Sequence, residues 1–221
     1  MKLAVAALAR AALAFVSLCA LLFLPAGTID YPEAWAYLGI LFGGMAVVLV
    51  ALLRHDPERL RRRLEAREKE PVQRKVVLVG TVVFVGLFAV AGFDRRFGWS
   101  DVPVLLEAAS LAGVACGYAG FAWVLRTNRW ASRTIGVEAG QTLVTTGPYA
   151  RVRHPMYVAI LVLYGFTPTA LGSWVALPFP VLLGALLVAR IRNEEDVLLR
   201  GLAGYESYAG SVRYRLVPGV W

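Results

Sequence analysis

The chain has 221 residues, of which 58% are hydrophobic and 17% are charged, and its mean hydropathy is +0.62. Soluble globular chains are about 45–50% apolar and about 25% charged, so the composition excludes a disordered chain and a water-soluble domain. The formal net charge of +8 is explained more simply by membrane orientation than by nucleic acid, and we expect no nucleic-acid partner. The two cysteines are too few for a disulfide framework or a zinc cluster.

The hydrophobic pattern predicts an all-α integral membrane protein with about six transmembrane helices. A helix of about 20 apolar residues spans a bilayer, and four segments reach that length: 3–24, 34–53, 76–93 and 102–125. We interpret the first segment as a retained helix and not as a signal peptide. Two glycine pairs in these segments match the spacing of small-residue contacts between helices: Gly39 with Gly43, and Gly113 with Gly117.

A fifth apolar run, residues 155–189, contains no charge. It is too long for one crossing and slightly short for two, so we predict a hairpin of two short helices that turns at Gly172 and Ser173. We expect the prolines of this run to kink the hairpin: Pro168, Pro178 and Pro180.

Positive charge predicts the orientation. The loops 54–75, 126–153 and 190–221 contain nine, five and five Lys/Arg residues, and the alternate loops contain two or fewer. By the positive-inside rule, both termini and the long loops are cytoplasmic, and we expect a bacterial inner membrane. The arginines of residues 59–67 are expected to lie along anionic lipid headgroups. We treat the chain as one membrane domain with two parts, residues 1–126 and 127–221.

Polar residues gather before the predicted hairpin. The stretch that starts at Gln141 passes through a Gly147-Pro148 turn and reaches Pro155, which suits the first turn of a helix. The unpaired N–H groups at such a helix start favour a carboxylate or a phosphate. Tyr149 and Tyr157 offer aromatic faces to a base or a cation. The alternative is that Arg151, Arg153 and the tyrosines only anchor the chain at the interface.

A second polar cluster follows the hairpin. Arg190 and Glu194 are four residues apart and share one face of a helix, whereas Glu195 points elsewhere. Because both clusters lie on the same side of the membrane, they can meet and line a pocket for a cationic, nucleotide-like cofactor. The alternative is a surface salt bridge worth less than ~1 kcal/mol. An apolar stripe then predicts a tail helix in the membrane interface: Leu198, Leu202, Tyr205 and Ala209.

Residues 134–221 carry a series of short motifs: Gly147-Pro148-Tyr149, Arg153-His154-Pro155-Met156-Tyr157, Glu194-Glu195 with Leu198, Gly204-Tyr205-Glu206-Ser207-Tyr208 and Val217-Pro218-Gly219. Together they resemble the isoprenylcysteine carboxyl methyltransferase family, which includes phospholipid N-methyltransferase relatives. The first four predicted spans match that family only in general character.

The resemblance implies an integral membrane methyltransferase that uses S-adenosylmethionine. It implies that Arg190 lies on the substrate side and that Glu194 binds the cofactor, and we expect both to be catalytic. One departure is Gln141, where many relatives have His, which puts a role for this side chain in doubt. The residues that the resemblance assigns to cofactor binding are Gln141, Thr142, Leu143, Val144, Tyr149, His154, Pro155, Met156, Tyr157 and Glu194.

Methyl transfer to a carboxylate needs alignment and electrostatics but no strong base. The sequence offers no dedicated base, which favours a carboxylate on a lipid-like or membrane-associated acceptor, held by the fork of Arg190. Its identity stays open among a prenylated cysteine, a phospholipid headgroup, a quinone-type lipid and a small thiol. Two other functions are possible: an NADPH-dependent reductase of sterol-reductase type, and a non-enzymatic scaffold or transporter. Cofactor binding separates the three.

Overall fold

The computed structural model describes residues 2–65, 71–132 and 134–221, and these residues form α-helices, one short 3-10 helix and loops, without strands. The predicted all-α fold is therefore confirmed for the described residues. The helices are α1 (Lys2–Ala26), α2 (Pro32–His55), α3 (Pro57–Glu65), α4 (Pro71–Phe97), α5 (Val104–Thr127), the 3-10 helix (Gly147–Ala150), α6 (Pro155–Ala170), α7 (Pro178–Gly201) and α8 (Tyr205–Ser211).

Among the described residues, four helices are long and apolar enough to cross a membrane: α1, α2, α4 and α5. They coincide with the first four predicted spans. The helix α6 is also apolar but has only 16 residues, and α7 has 24 residues with its charged side chains in the second half. Six crossings in total therefore stay a prediction.

The predicted hairpin corresponds to α6 and α7. Gly172 lies in their connection with a φ of +68°, a conformation that favours glycine. The prediction that all three prolines kink the hairpin is wrong for Pro178 and Pro180, because both lie in the first turn of α7. Proline is tolerated there, since the N–H groups of a first turn have no partner within the helix. Pro168 does lie inside α6.

The main core lies between α1, α2, α4, α5 and α6, where Tyr37, Phe88 and Leu22 are completely buried. The contact between α5 and α6 depends on glycine: a Cβ on Gly117 would lie 2.6 Å from the backbone nitrogen of Leu163. The ring of Phe166 packs directly against Gly113, where a Cβ would lie 2.5 Å from a ring carbon. In contrast, Gly39 and Gly43 face open space, so the small-residue contact predicted for that pair is wrong.

The end of the bundle near the α6–α7 connection is closed by polar side chains. Asp94 at the end of α4 accepts hydrogen bonds from the backbone and the hydroxyl of Ser100 and from the hydroxyl of Ser173. Tyr31 donates to the carbonyl of Leu171. These bonds attach α4 and the start of α2 to the α6–α7 connection, and they satisfy a buried carboxylate.

The described arginines of the basic run do not all face outwards. Arg59, Arg62 and Arg63 bond to residues 125–138 of the protein. The prediction of contact with lipid headgroups is wrong for the buried Arg59, and it stays a prediction for Arg62 and Arg63. Arg61 is exposed and pairs with Glu58. Arg67, the last member of the run, lies outside the described residues.

The C-terminal segment returns to the start of α6. The backbone N–H groups of Arg153 and His154 donate to the carbonyls of Tyr214 and Arg215, at 2.9 and 3.0 Å. The predicted apolar stripe forms a small core with loop residues of the preceding segment. Its position in the membrane interface stays a prediction. The members of this core include Val137, Leu143, Leu198, Leu202, Tyr205, Tyr208 and Ala209.

Candidate active site

A cavity lies where α5 ends and α6 begins, beneath the loop that joins them. It encloses about 810 Å³, including the open solvent at its mouth. Its walls come from the α5–α6 loop, the start of α6, the second half of α7 and α8. Among the described residues, the walls combine aromatic rings, hydroxyl and amide groups and apolar side chains with the carboxylate of Glu194, the guanidinium of Arg153 and the imidazole of His154.

The residues predicted to bind a cofactor come together in this cavity. All ten line it: Gln141, Thr142, Leu143, Val144, Tyr149, His154, Pro155, Met156, Tyr157 and Glu194. The sequence reasoning did not identify part of the wall, because the loop after α5 carries no helical or strand periodicity. The lining residues it did not predict to bind include Asn128, Trp130, Ala131, Ser132, Thr134, Gly136, Leu202 and Tyr205.

Arg190 does not line this cavity but is joined to it by one side chain. The hydroxyl of Tyr157 donates to Glu194 Oε2 at 2.5 Å and accepts from Arg190 Nε at 3.0 Å. Nη1 of Arg190 donates to Oε1 of the buried Gln73 on α4, at 3.0 Å, and Gln73 Nε2 donates to Asn193 Oδ1 at 2.8 Å. A plain surface salt bridge does not describe this arrangement, because the guanidinium is fixed by groups of α4 and α6.

The two adjacent glutamates face different surroundings. Glu194 faces the cavity, and Glu195 is 6% exposed. Arg153 Nε lies 2.7 Å from Glu195 Oε1, His154 Nε2 lies 3.2 Å from the same oxygen, and Arg215 Nε lies 2.7 Å from Oε2. Burial alone would raise the pKa of Glu195, but these hydrogen bonds outweigh burial and lower the pKa to about 2. Glu195 is therefore an ionised structural group.

The same cluster explains Arg153. Its Nη1 donates to the carbonyls of Ala209, Val212 and Arg213, and its side chain is buried. Interfacial anchoring, one of the two interpretations of this arginine, is wrong. Arg153 instead attaches the end of α8 to the start of α6, because one guanidinium supplies donors in several directions.

Hydrogen bonds also connect the wall of the cavity. Asn128 Nδ2 donates to the hydroxyl of Tyr149 at 2.9 Å, and Trp130 Nε1 donates to Thr142 Oγ1 at 3.2 Å. Tyr208 donates to the carbonyl of Tyr149 at 2.7 Å. Burial raises the pKa of the Tyr149 and Tyr208 phenols, so both stay neutral at physiological pH.

The side chain of Gln141 is used within its own turn. Its Oε1 accepts the backbone N–H of Glu138 at 2.9 Å. The amide thus stabilises the loop at the edge of the cavity, which agrees with the doubt about a side-chain role for this residue.

Fold and site together describe an integral membrane helical protein with a polar cavity at one end of its bundle. The model of the isoprenylcysteine carboxyl methyltransferase (ICMT) family matches residues 109–200, which include most of α5, the cavity loop, α6 and nearly all of α7. Members of this family are S-adenosylmethionine-dependent methyltransferases. The resemblance to this family that the sequence predicted is confirmed.

Known proteins that are similar to this chain include a metal-resistance protein and a solved methyltransferase structure. A nickel-cobalt-cadmium resistance protein, NccN, from Alcaligenes xylosoxydans xylosoxydans is 29% identical over 132 residues, and the match spans 58% of each chain. The solved structure of a eukaryotic intramembrane Ras methyltransferase, ICMT, covers 97% of this chain and 77% of its own, with a TM-score of 0.59 and 19% identity. At that identity, the structural likeness concerns the fold.

Proposed function

We propose that this protein is an integral membrane methyltransferase that uses S-adenosylmethionine. The observation that carries the proposal is the gathering of all ten predicted cofactor residues around one cavity, within or directly beside the segment that the family model matches. S-adenosylmethionine supplies a methyl group from a sulfonium cation. The Glu194 carboxylate suits that cation, and the aromatic and apolar walls suit an adenosine moiety.

A second cavity supports a lipid-like acceptor. An apolar groove of about 740 Å³, including open space, runs between α4, α6 and α7. Arg190 is its charged lining residue. A lipid chain in this groove would bring its polar end to the guanidinium, about one side chain away from the cofactor cavity. The other lining residues are Val76, Val77, Gly80, Thr81, Phe84, Ile160, Tyr164, Leu183, Leu186 and Leu187.

The surroundings of the candidate bases favour a carboxylate acceptor. An amine or thiol would have to lose a proton before or during transfer. Glu195 is held ionised by three donors and is a poor base with a pKa of about 2, and His154 is bonded to Glu195. Of the three titratable side chains near the site, Glu194, Glu195 and His154, Glu194 therefore remains as a candidate base. A carboxylate needs no base, and Tyr157 and Gln73 orient Arg190 for its recognition.

We further propose six crossings, with both termini and the cofactor cavity on the cytoplasmic side of a bacterial inner membrane. The Lys/Arg asymmetry of the loops supports this orientation. Anionic lipid headgroups would then lie close to exposed arginines at this end of the bundle, of which Arg61 is one.

The change Glu194→Gln tests the cofactor assignment in purified protein. Loss of the carboxylate removes a charge–charge contact with a cation, so we expect the Kd for S-adenosylmethionine to rise by about 10-fold. Calorimetry with S-adenosylmethionine and with NADPH separates a methyltransferase from a reductase. The matched control is Glu206→Gln, an exposed glutamate on α8. Unchanged binding in Glu194→Gln, or preferential binding of NADPH, would refute the assignment.

The change Arg190→Lys tests the acceptor side. It keeps the charge but removes the planar fork, so acceptor turnover should fall by about 10- to 100-fold while cofactor affinity stays within a few-fold. The acceptor is first identified by transfer of a labelled methyl group into extracted membranes. Near-normal turnover in both Arg190→Lys and Arg190→Ala would remove Arg190 from the site, and lost cofactor binding would move it to the cofactor side.

A further inference from the structure

The helix α3 carries an arginine face that is turned towards the cofactor cavity. Arg59, Arg62 and Arg63 have the i, i+3, i+4 spacing that places side chains on one side of a helix. All three bond to residues 125–138. This segment includes much of the cavity wall. The helix itself precedes the segment that the family model matches.

Arg59 is the most buried of the three, with 7% of its surface exposed. Its Nη2 donates to the carbonyl of Leu125 at 2.6 Å and to the carbonyl of Asn128 at 2.7 Å. These carbonyls lie at the C-terminal end of α5, where helical acceptors lack partners and a positive charge is favourable. Arg59 therefore fixes the point at which the chain leaves α5 and enters the cavity wall.

Asn128 connects Arg59 to the cavity through two hydrogen bonds. Its backbone carbonyl accepts from Arg59, and its side chain donates to the hydroxyl of Tyr149. Both Asn128 and Tyr149 line the cavity. Arg59 does not, so any effect on a bound cofactor passes through these two residues.

The two other arginines hold the next part of the loop. Arg62 Nη1 lies 2.7 Å from Glu138 Oε2, and its guanidinium lies over the Trp130 ring at 5.7 Å. Arg63 Nη1 donates to the carbonyl of Ala131 at 2.6 Å. Together the three side chains contact the segment 125–138 at its beginning, middle and end, which a helix that only lies on lipid would not require.

We propose that α3 is a clamp on the wall of the cofactor cavity, and that Arg59 is a positioning residue for cofactor binding that acts through Asn128 and Tyr149. This proposal rests on the proposed function for its ligand. The clamp itself is a property of the protein without ligand, and it assigns a role to a helix outside the family-matched segment.

The test compares Arg59→Gln with Arg61→Gln in the full chain. Both changes remove one positive charge from α3, but Arg61 is exposed and pairs with Glu58 of its own helix. Hydrogen–deuterium exchange of the ligand-free protein measures how fast the backbone amides of residues 128–132 and 134–138 exchange, and therefore how firmly this segment is held. Calorimetry with S-adenosylhomocysteine, the demethylated product, measures the affinity of the cavity for this ligand.

We expect Arg59→Gln to speed exchange in these amides and to raise the Kd for S-adenosylhomocysteine by about 10-fold, since hydrogen bonds from a charged donor are lost. Turnover at saturating cofactor should stay within about 2-fold of the parent, because the acceptor site keeps Arg190 and Tyr157. Arg59→Lys should recover part of the affinity. Arg61→Gln should leave exchange and binding unchanged.

A folded Arg59→Gln variant with parental exchange and parental affinity would overturn the proposal, as would equal effects of Arg61→Gln. If Arg59→Gln does not fold, Arg63→Gln removes the donor to the Ala131 carbonyl. The same two measurements on this variant then decide whether α3 holds the wall, with an expected rise in Kd of about 3-fold. If the parent binds no S-adenosylhomocysteine, the proposed function fails, and the exchange measurement still decides whether the clamp exists.

Discussion

Replacement of Glu195 by Gln probes the buried cluster that attaches α6, α7 and the C-terminal segment to one another. The change keeps the shape of the side chain but removes the negative charge between Arg153, His154 and Arg215. Two guanidinium groups then lack their counter-charge. Since Arg153 is itself buried, folding of the variant removes the Arg153 guanidinium from water without a negative charge nearby to offset the lost hydration.

The magnitude follows from the pKa. A pKa of about 2, against an ordinary value of 4.5, corresponds to about 3 kcal/mol of stability at roughly 1.4 kcal/mol per pKa unit. Removal of one partner from a buried ion pair typically costs about 3–5 kcal/mol, which agrees. For a chain of this size, about 3 kcal/mol lowers Tm by roughly 6–12 °C.

The assay is thermal unfolding in detergent, followed by tryptophan fluorescence, from pH 8 to pH 3. Because the folded-state pKa of Glu195 is depressed, its contribution is complete above about pH 5 and is lost as the pH falls towards 2. The difference in stability between parent and Glu195→Gln should therefore be constant from pH 8 to about pH 5 and fall to less than half by pH 3. A variant that melts within 2 °C of the parent at pH 7, or a difference independent of pH, would refute this account.

Two further predictions concern helix packing and topology. Gly117→Ala should destabilise the protein by about 1–3 kcal/mol, because the new Cβ would collide with the backbone of Leu163. Gly39 faces open space, so Gly39→Ala should be neutral or should stabilise the protein by up to about 1 kcal/mol. Equal shifts in melting temperature in the two variants would contradict the packing. Thr28→Cys and Ser207→Cys, in a chain with Cys19→Ser and Cys116→Ser, should label from opposite sides of the membrane, and labelling of both from one side would contradict the proposed orientation.

The secondary-structure elements that the sequence predicted correctly are those whose formation depends on residues close together in the chain. A run of about 20 apolar residues predicts a helix without knowledge of its neighbours, and α1, α2, α4 and α5 were predicted in this way. The start of α6 at Pro155 is equally local, since proline is favoured in a first turn. The ten cavity residues were identified through the family motifs, and the structure brings them together around one cavity.

The missed features depend on residues that are distant in the chain. Gln73 and Arg190 are 117 positions apart, and no periodicity relates them. The two glycine pairs have the same spacing, yet only Gly113 and Gly117 meet a partner helix. The wall residues within 128–132 and 134–136 follow no regular sequence pattern, so their place in the cavity could be recognised only from tertiary contacts.

The neighbouring glutamates of α7 show how one short motif separates two tasks. Successive residues of an α-helix point about 100° apart, so Glu194 and Glu195 cannot face the same surroundings. Glu195 is hydrogen-bonded to Arg153, His154 and Arg215 and has a structural role. Glu194 accepts a hydrogen bond from the hydroxyl of Tyr157 and faces the cavity. Because the Tyr157 hydroxyl also accepts from Arg190, one phenol sets the positions of both charged groups that the proposed transfer needs. Under the proposed function, a shift of α6 relative to α7 would disturb the cofactor side and the acceptor side together, and the buried Glu195 cluster at this junction would then affect transfer as well as stability.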